Sequence, residues 1–300
     1  MWTNALRTAN LQYPYRLCMG AIPIALAPRA VITMSEFPVV ACGELYREQG
    51  IMQQYHVPLL GLRYWIALCL ASIFGANMGD FFAHNLGLGH VAGLPFLAIA
   101  LVLVLVAERF DRAVHEVYYW LAIVLVRTAA TNLADFFSVD LKLAKPSVMA
   151  GLTVLLVLSV AAAWQLVWRN SADRPDARSN LLRADSGYWV AMLTAGTLGT
   201  VLGDYFSHDL HFGHVGASVA LSALLAPFFI AGIRQLLWPL PLYWATIVMI
   251  RAAGTAVGDV LAERNNLGLA LSTAVTGLVF VAFLISWRSA RRGAATVSVN

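Results

Sequence analysis

Charge is the scarcest ingredient of this sequence: Asp, Glu, Lys and Arg together supply 12% of its 300 residues. A water-soluble domain carries about twice that share, so the chain lacks the polar surface to live in water. Cysteine is nearly absent too. Cys18, Cys42 and Cys69 are scattered with no CxxC, which excludes a disulfide framework and a zinc–thiolate site. There is no phosphate-binding loop and no GxGxxG, which argues against an ATP-driven pump or a nicotinamide enzyme. No nucleophile–base set is recognisable, so an enzyme is not expected. The net charge of +4 comes from arginines at helix ends, and no nucleic-acid partner is implied.

What the chain has instead is long apolar runs, 60% of its residues being hydrophobic. Eight segments of spanning length run over roughly 59–82, 89–107, 117–138, 145–168, 187–207, 214–235, 241–262 and 267–287. Leu17–Ala27, about eleven residues, is too short to span. Residues 1–57 are therefore set apart as an N-terminal extension of uncertain status, with a first four-helix half at 58–168. A linker at 169–186, a second half at 187–287 and a tail at 288–300 complete the layout.

A phrase recurs through these segments. Tyr-Trp, with Asp sixteen residues after the Tyr, occurs at Tyr64-Trp65…Asp80, Tyr119-Trp120…Asp135, Tyr188-Trp189…Asp204 and Tyr243-Trp244…Asp259. Each occurrence opens a unit of two helices, and the halves correspond at an offset of 124 residues. Units one and three agree at 13 of 30 positions from the Tyr-Trp pair onward. An even number of helices per unit makes these parallel repeats about an axis along the membrane normal. The fold class is all-α: a polytopic membrane protein of four parallel-repeat helical hairpins in two duplicated halves.

Arginine places the chain in the bilayer. Arg63, Arg109, Arg112, Arg169, Arg234 and Arg288 flank one set of ends, against Lys142, Lys145 and Arg264 on the other. That bias predicts a multi-pass protein of the cell (inner) membrane with both termini cytoplasmic and the His-containing turns outside. The Tyr-Trp pairs then read as interfacial anchors.

Small residues precede each Asp by five and by one: Gly75/Gly79, Ala130/Ala134, Gly199/Gly203 and Gly254/Gly258. Such a seam lets a second helix approach backbone to backbone. Thr131, Thr200 and Thr255 precede Asp by four, with Ala76 in the first unit. Four residues after Asp stand His84 and His208, with Glu263 in unit four, and His90 and His214 open the following helices. Steps of four stay on one helical stripe, so Asp80, His84, His90 and Asp204, His208, His214 are candidate ligands for a divalent transition metal. Asp135, Asp259 and Glu263 are secondary carboxylates. Arg127 and Arg251 fall about 12 Å into the core, where each should face the interior and balance a carboxylate or a substrate anion.

The fourfold pattern, with T-x-x-[GA]-D closing the first helix of each unit, resembles a bacterial repeat family of uncharacterised membrane-anchored proteins, domain of unknown function 347. The resemblance covers about residues 60–287 and breaks at Ala76. It implies an eight-helix membrane protein and carries no substrate. The leading functional expectation is transport of a divalent transition metal, bound as cargo with no cofactor required. A small organic-anion carrier built on the two arginines, or a membrane scaffold or sensor, are the alternatives.

Overall fold

The computed structural model describes residues 57–58, 60–111, 115–171, 184–233, 240–264 and 268–297. The expectations for residues 1–56, and for most of the linker at 172–183, lie outside the described residues.

Among the described residues there are eight long helices and no strand: α1 (Leu62–Asp80), α2 (Gly89–Phe110), α3 (Glu116–Asp135), α4 (Lys145–Ser171), α5 (Ser186–Asp204), α6 (Gly213–Ile233), α7 (Leu240–Asp259) and α8 (Gly268–Val297). Seven of them, all but α5, are long and apolar enough to cross a membrane. The eighth, rich in Gly and Thr, is weak in hydropathy for a visible reason. Thirteen of its 19 residues are buried against other helices, so little of it needs to match lipid.

The four odd-numbered helices form an inner bundle, α1 beside α3, α3 beside α5, α5 beside α7, and α7 beside α1. The even-numbered helices lie outside it, each against the inner helix of the next unit: α2 on α3, α4 on α5, α6 on α7 and α8 on α1. Outer faces are left for lipid, as Phe96, Leu103, Val157, Val219 and Leu278 illustrate, all exposed. Asn77 Nδ2 donates to Ser272 Oγ at 2.6 Å and Thr273 Oγ1 donates to the Asn77 carbonyl at 3.1 Å, tying the last helix to the first.

The small-residue seam is where the inner helices meet, and it follows one rule around the ring. A Cβ added at Gly75 would stand 2.5 Å from Arg127 Cβ, at Gly199 2.6 Å from Arg251 Cβ, and at Gly254 2.7 Å from Ser72 Cβ. The layer nearer Asp repeats it, Gly79 against Thr131, Gly203 against Thr255 and Gly258 against Asn77. Ala130 and Ala134 hold the matching places in unit two and are fully buried.

Each inner α-helix ends at its Asp and continues as a five-residue π-helical turn: Phe81–Asn85, Phe136–Asp140, Tyr205–Asp209 and Val260–Arg264. Bonds five residues apart close three of these turns, such as Leu141 N–H to Phe136 O at 2.9 Å. Next comes a left-handed residue, Gly87, Lys142 or His211 in units one to three, which reverses the chain into the outer helix.

Candidate functional site

The bundle axis carries three polar layers, one at each end and one at mid-depth. Tyr64, Tyr119, Tyr188 and Tyr243 turn inward at one end and close a hydrogen-bonded square: 64–119 at 2.9 Å, 119–188 at 2.7 Å, 188–243 at 3.1 Å and 243–64 at 2.8 Å. Every hydroxyl has one proton to give, so a ring in which each donates to the next uses them all. Each Trp packs at a tilt of 44–54° against the Tyr of the preceding unit, with centroids 5.6–5.8 Å apart. All eight rings are buried. The pairs are therefore a plug on the axis, and the expectation of interfacial anchors is corrected. The sequence held a signal for this. Tyr64 precedes Gly75 by eleven residues, about three helical turns, so both lie on the face that meets the neighbouring helix.

Arg127 and Arg251 come eight residues after their Tyr and eight before their Asp, about 12 Å from each end layer. Both are 0% exposed. Each nitrogen of Arg251 donates to a different one of the other three inner helices. Its Nε donates to Thr200 Oγ1 at 2.9 Å, its Nη1 to the Ser72 carbonyl at 2.8 Å, and its Nη2 to Thr131 Oγ1. Arg127 has one weak contact, Nη2 to Met192 Sδ at 3.7 Å, while its Nε and Nη1 have no hydrogen-bond partner. Neither guanidinium is in a salt bridge with a carboxylate among the described residues. The interior placement holds; direct balancing by a repeat Asp does not, because hydroxyls and a carbonyl take that place around Arg251.

The third layer is acidic. Asp80, Asp135, Asp204 and Asp259 end the four inner helices at equivalent positions, and Asp204 feels the charge of the other three. A helix C-terminus opposes a carboxylate, so capping does not explain these residues. Around them the outer helices bring cation-capable side chains from the preceding unit. His90 Nδ1 lies 3.1 Å from both Asp140 oxygens, Lys145 Nζ 2.6 Å from Asp209 Oδ2, and His214 Nδ1 3.7 Å from Asp259 Oδ2.

The candidate ligands come together only in part. His84 meets His90 with ring centroids 5.8 Å apart, and His208 meets His214 at 5.2 Å. Yet His208 Nδ1 lies against the Asp204 backbone carbonyl at 3.2 Å, and His90 and His214 lie beside Asp140 and Asp259 of the next unit. Among the described residues no group of three His, Cys, Asp or Glu is placed to hold a metal ion. The π turn is the physical reason: it changes the rotation per residue beyond Asp, so a stripe drawn at α-helical spacing does not continue to His84 or His208. The Glu263 backbone lies in the fourth π turn, and its side chain lies outside the described residues. Sequence reasoning did not select Asp140, Asp209 or Met192, which become neighbours of these sites through packing between units.

A family profile described as Repeat of Unknown Function (DUF347) matches the chain four times, over residues 63–112, 118–166, 187–235 and 242–292. No curated protein and no solved structure matches it. Because the profile covers well over half of the chain, one match to each Tyr-Trp unit, the chain belongs to the family described as Repeat of Unknown Function (DUF347).

Proposed function

We propose that this chain is a membrane transporter that moves a small charged solute along the axis of its four inner helices. The observation that carries the reading is the pair of wholly buried guanidinium groups at mid-depth, one from each half. A charge there is expensive, and repeat-built transporters place their substrate sites at the repeat interface near the midplane. A scaffold gains nothing from a buried arginine whose Nε and Nη1 are unpartnered; packing alone would favour methionine or leucine. The Tyr square closes the path at one end and the Asp layer lines the other. The loop arginines support a cytoplasmic Tyr end and an outward Asp end.

Two cargo classes follow from two layers. The divalent transition metal expected from sequence has the His84–His90 and His208–His214 pairs in its favour. It lacks a third converging donor among the described residues. An anion has Arg127, which already offers unmatched donors, and we favour it. The deciding experiment uses the purified full chain in liposomes, with labelled manganese, zinc, chloride and acetate presented under imposed pH and voltage gradients. Anion uptake above that of protein-free liposomes, lost in Arg127→Met, is expected. Metal uptake lost in His208→Ala would transfer the function to the outer layer, and no uptake of any of the four would return the chain to a structural role.

A further inference from the structure

The two arginines are copies of one another by the 124-residue offset, yet only one is satisfied. Carrying the Arg251 bonds back through that offset makes the difference explicit. Thr200, which accepts from Arg251 Nε at 2.9 Å, corresponds to Ala76. Thr131, which accepts from Arg251 Nη2, corresponds to Thr255, whose buried hydroxyl has no partner. Ser72, whose carbonyl accepts from Arg251 Nη1 at 2.8 Å, corresponds to Gly196. By this correspondence alanine holds the place of the threonine that accepts from the twin, and Arg127 Nε and Nη1 make none of the equivalent bonds.

We infer that Arg127 is the binding site of a small monovalent anion, and that alanine at position 76 keeps it open. This names the cargo class for the axial path proposed above and rests on that reading. The hydrogen on Nε and the two on Nη1 are unmatched. At 0% exposure they have no recourse to bulk water. Leaving charged donors unpaired there costs more than a fold readily tolerates, and an anion removes the penalty in one step. Arg251, buried at the same depth, adds a second positive charge to the layer.

The charge of the ligand follows from the donor count. Gly196 lets its helix close on Ala130, whose Cβ lies 2.9 Å from where a glycine Cβ would stand, and Arg127 Nη1 lies beside the same spot at 4.0 Å. Met192 stands beside Nη2, its Sδ 3.7 Å away. Every nitrogen of Arg251 already donates once, so Arg127 is the guanidinium with nitrogens left wholly unmatched, and one negative charge suits it. Chloride, nitrate or a short carboxylate meets these demands, whereas a dianion would need a second group with wholly unmatched nitrogens, and Arg251 has none.

Restoring the missing hydroxyl is the test. A Thr at 76 would lie against Gly258, whose Cβ position is 3.4 Å from Ala76 Cβ, as Thr131 lies against Gly79 in the neighbouring unit. Thermal unfolding of the detergent-purified full chain is followed in sodium gluconate, with chloride, nitrate, acetate or sulfate substituted at constant ionic strength. Wild type is expected to melt higher in chloride, nitrate or acetate and to ignore sulfate. Ala76→Thr should melt higher than wild type in gluconate and lose the anion response, because its hydroxyl accepts from Arg127 Nε. Ala76→Ser adds the oxygen without the extra methyl and should behave alike if the threonine is too large to fold. Arg127→Met should also lose the response. An anion response that persists in both Ala76 variants, or in Arg127→Met, overturns the site, and so does a wild type indifferent to all four anions. Sulfate acting as strongly as nitrate overturns the monovalent assignment. Binding without flux in liposomes would leave the site standing and remove the transport reading, so the two failures are distinguishable.

Discussion

Gly199 and Gly151 are both mid-helix glycines, and the structure expects opposite outcomes when each becomes alanine. In an exposed helix, Gly→Ala stabilises by about 0.5–1 kcal/mol, because the backbone entropy lost on folding falls. At Gly151 nothing lies within 4 Å of the new Cβ, so that gain should appear in full. At Gly199 the methyl would lie 2.6 Å from the Val248 carbonyl oxygen, 2.6 Å from Arg251 Cβ and 2.8 Å from Arg251 Cγ. Two of the three are backbone or anchored directly to it, so no side-chain rotation relieves them. Ordinary contact begins at about 3.4–4 Å, so α5 and α7 must separate by roughly 1 Å, with loss of dispersion along the seam. Overpacking of this kind costs about 1–3 kcal/mol, and the shift also stretches the bonds from Arg251 to Thr200 and Ser72. The expected net loss is about 1–2 kcal/mol for Gly199→Ala. Thermal unfolding in one detergent, with Gly151→Ala as the control, measures both. A Gly199→Ala protein that melts at or above wild type would refute the seam as the contact between inner helices.

Tyr119→Phe removes the hydroxyl shared by the 2.9 Å and 2.7 Å bonds of the Tyr square and should cost about 1–3 kcal/mol. Replacing all four tyrosines should cost less than four times that, which a melting series would show. Arg251→Met should lower folded yield strongly, since it strips bonds to three helices, while Arg127→Met in gluconate should melt at or above wild type; equal losses would contradict the asymmetry between the two sites. Asn85→Cys should react with an impermeant thiol reagent on intact cells and Asp176→Cys should be protected, the reverse pattern inverting the orientation.

Much of the architecture is legible in one chain because it depends on local periodicity. Spanning length, apolar content and the repeated Tyr-Trp…Asp spacing set the helices to within a few residues, except that α8 runs through the expected tail to Val297. The glycines at Asp minus five and minus one mark the seam. Arg127 and Arg251 read as interior because helix rise alone sets their depth. What misled was the assumption that α-helical rotation continues past Asp. Each inner helix widens to a π turn there, and the step from Asp204 to His208 lands the imidazole on a backbone carbonyl rather than beside the carboxylate. The π turn is a backbone register choice with no residue signature of its own.

The sequence by itself determined that this is a membrane protein of four duplicated helix pairs with small residues, threonines, arginines and acids at fixed depths, since composition and spacing are enough for that. Only the tertiary structure decided which unit each side chain meets. Every outer helix crosses to the inner helix of the next unit, so His90 finds Asp140 and Gly75 cradles Arg127. Four tyrosines that looked like separate anchors become one ring. Depth is a property of a single helix and is written in its residues, whereas neighbours around an axis depend on how helices pack, and the residues of one helix do not record that.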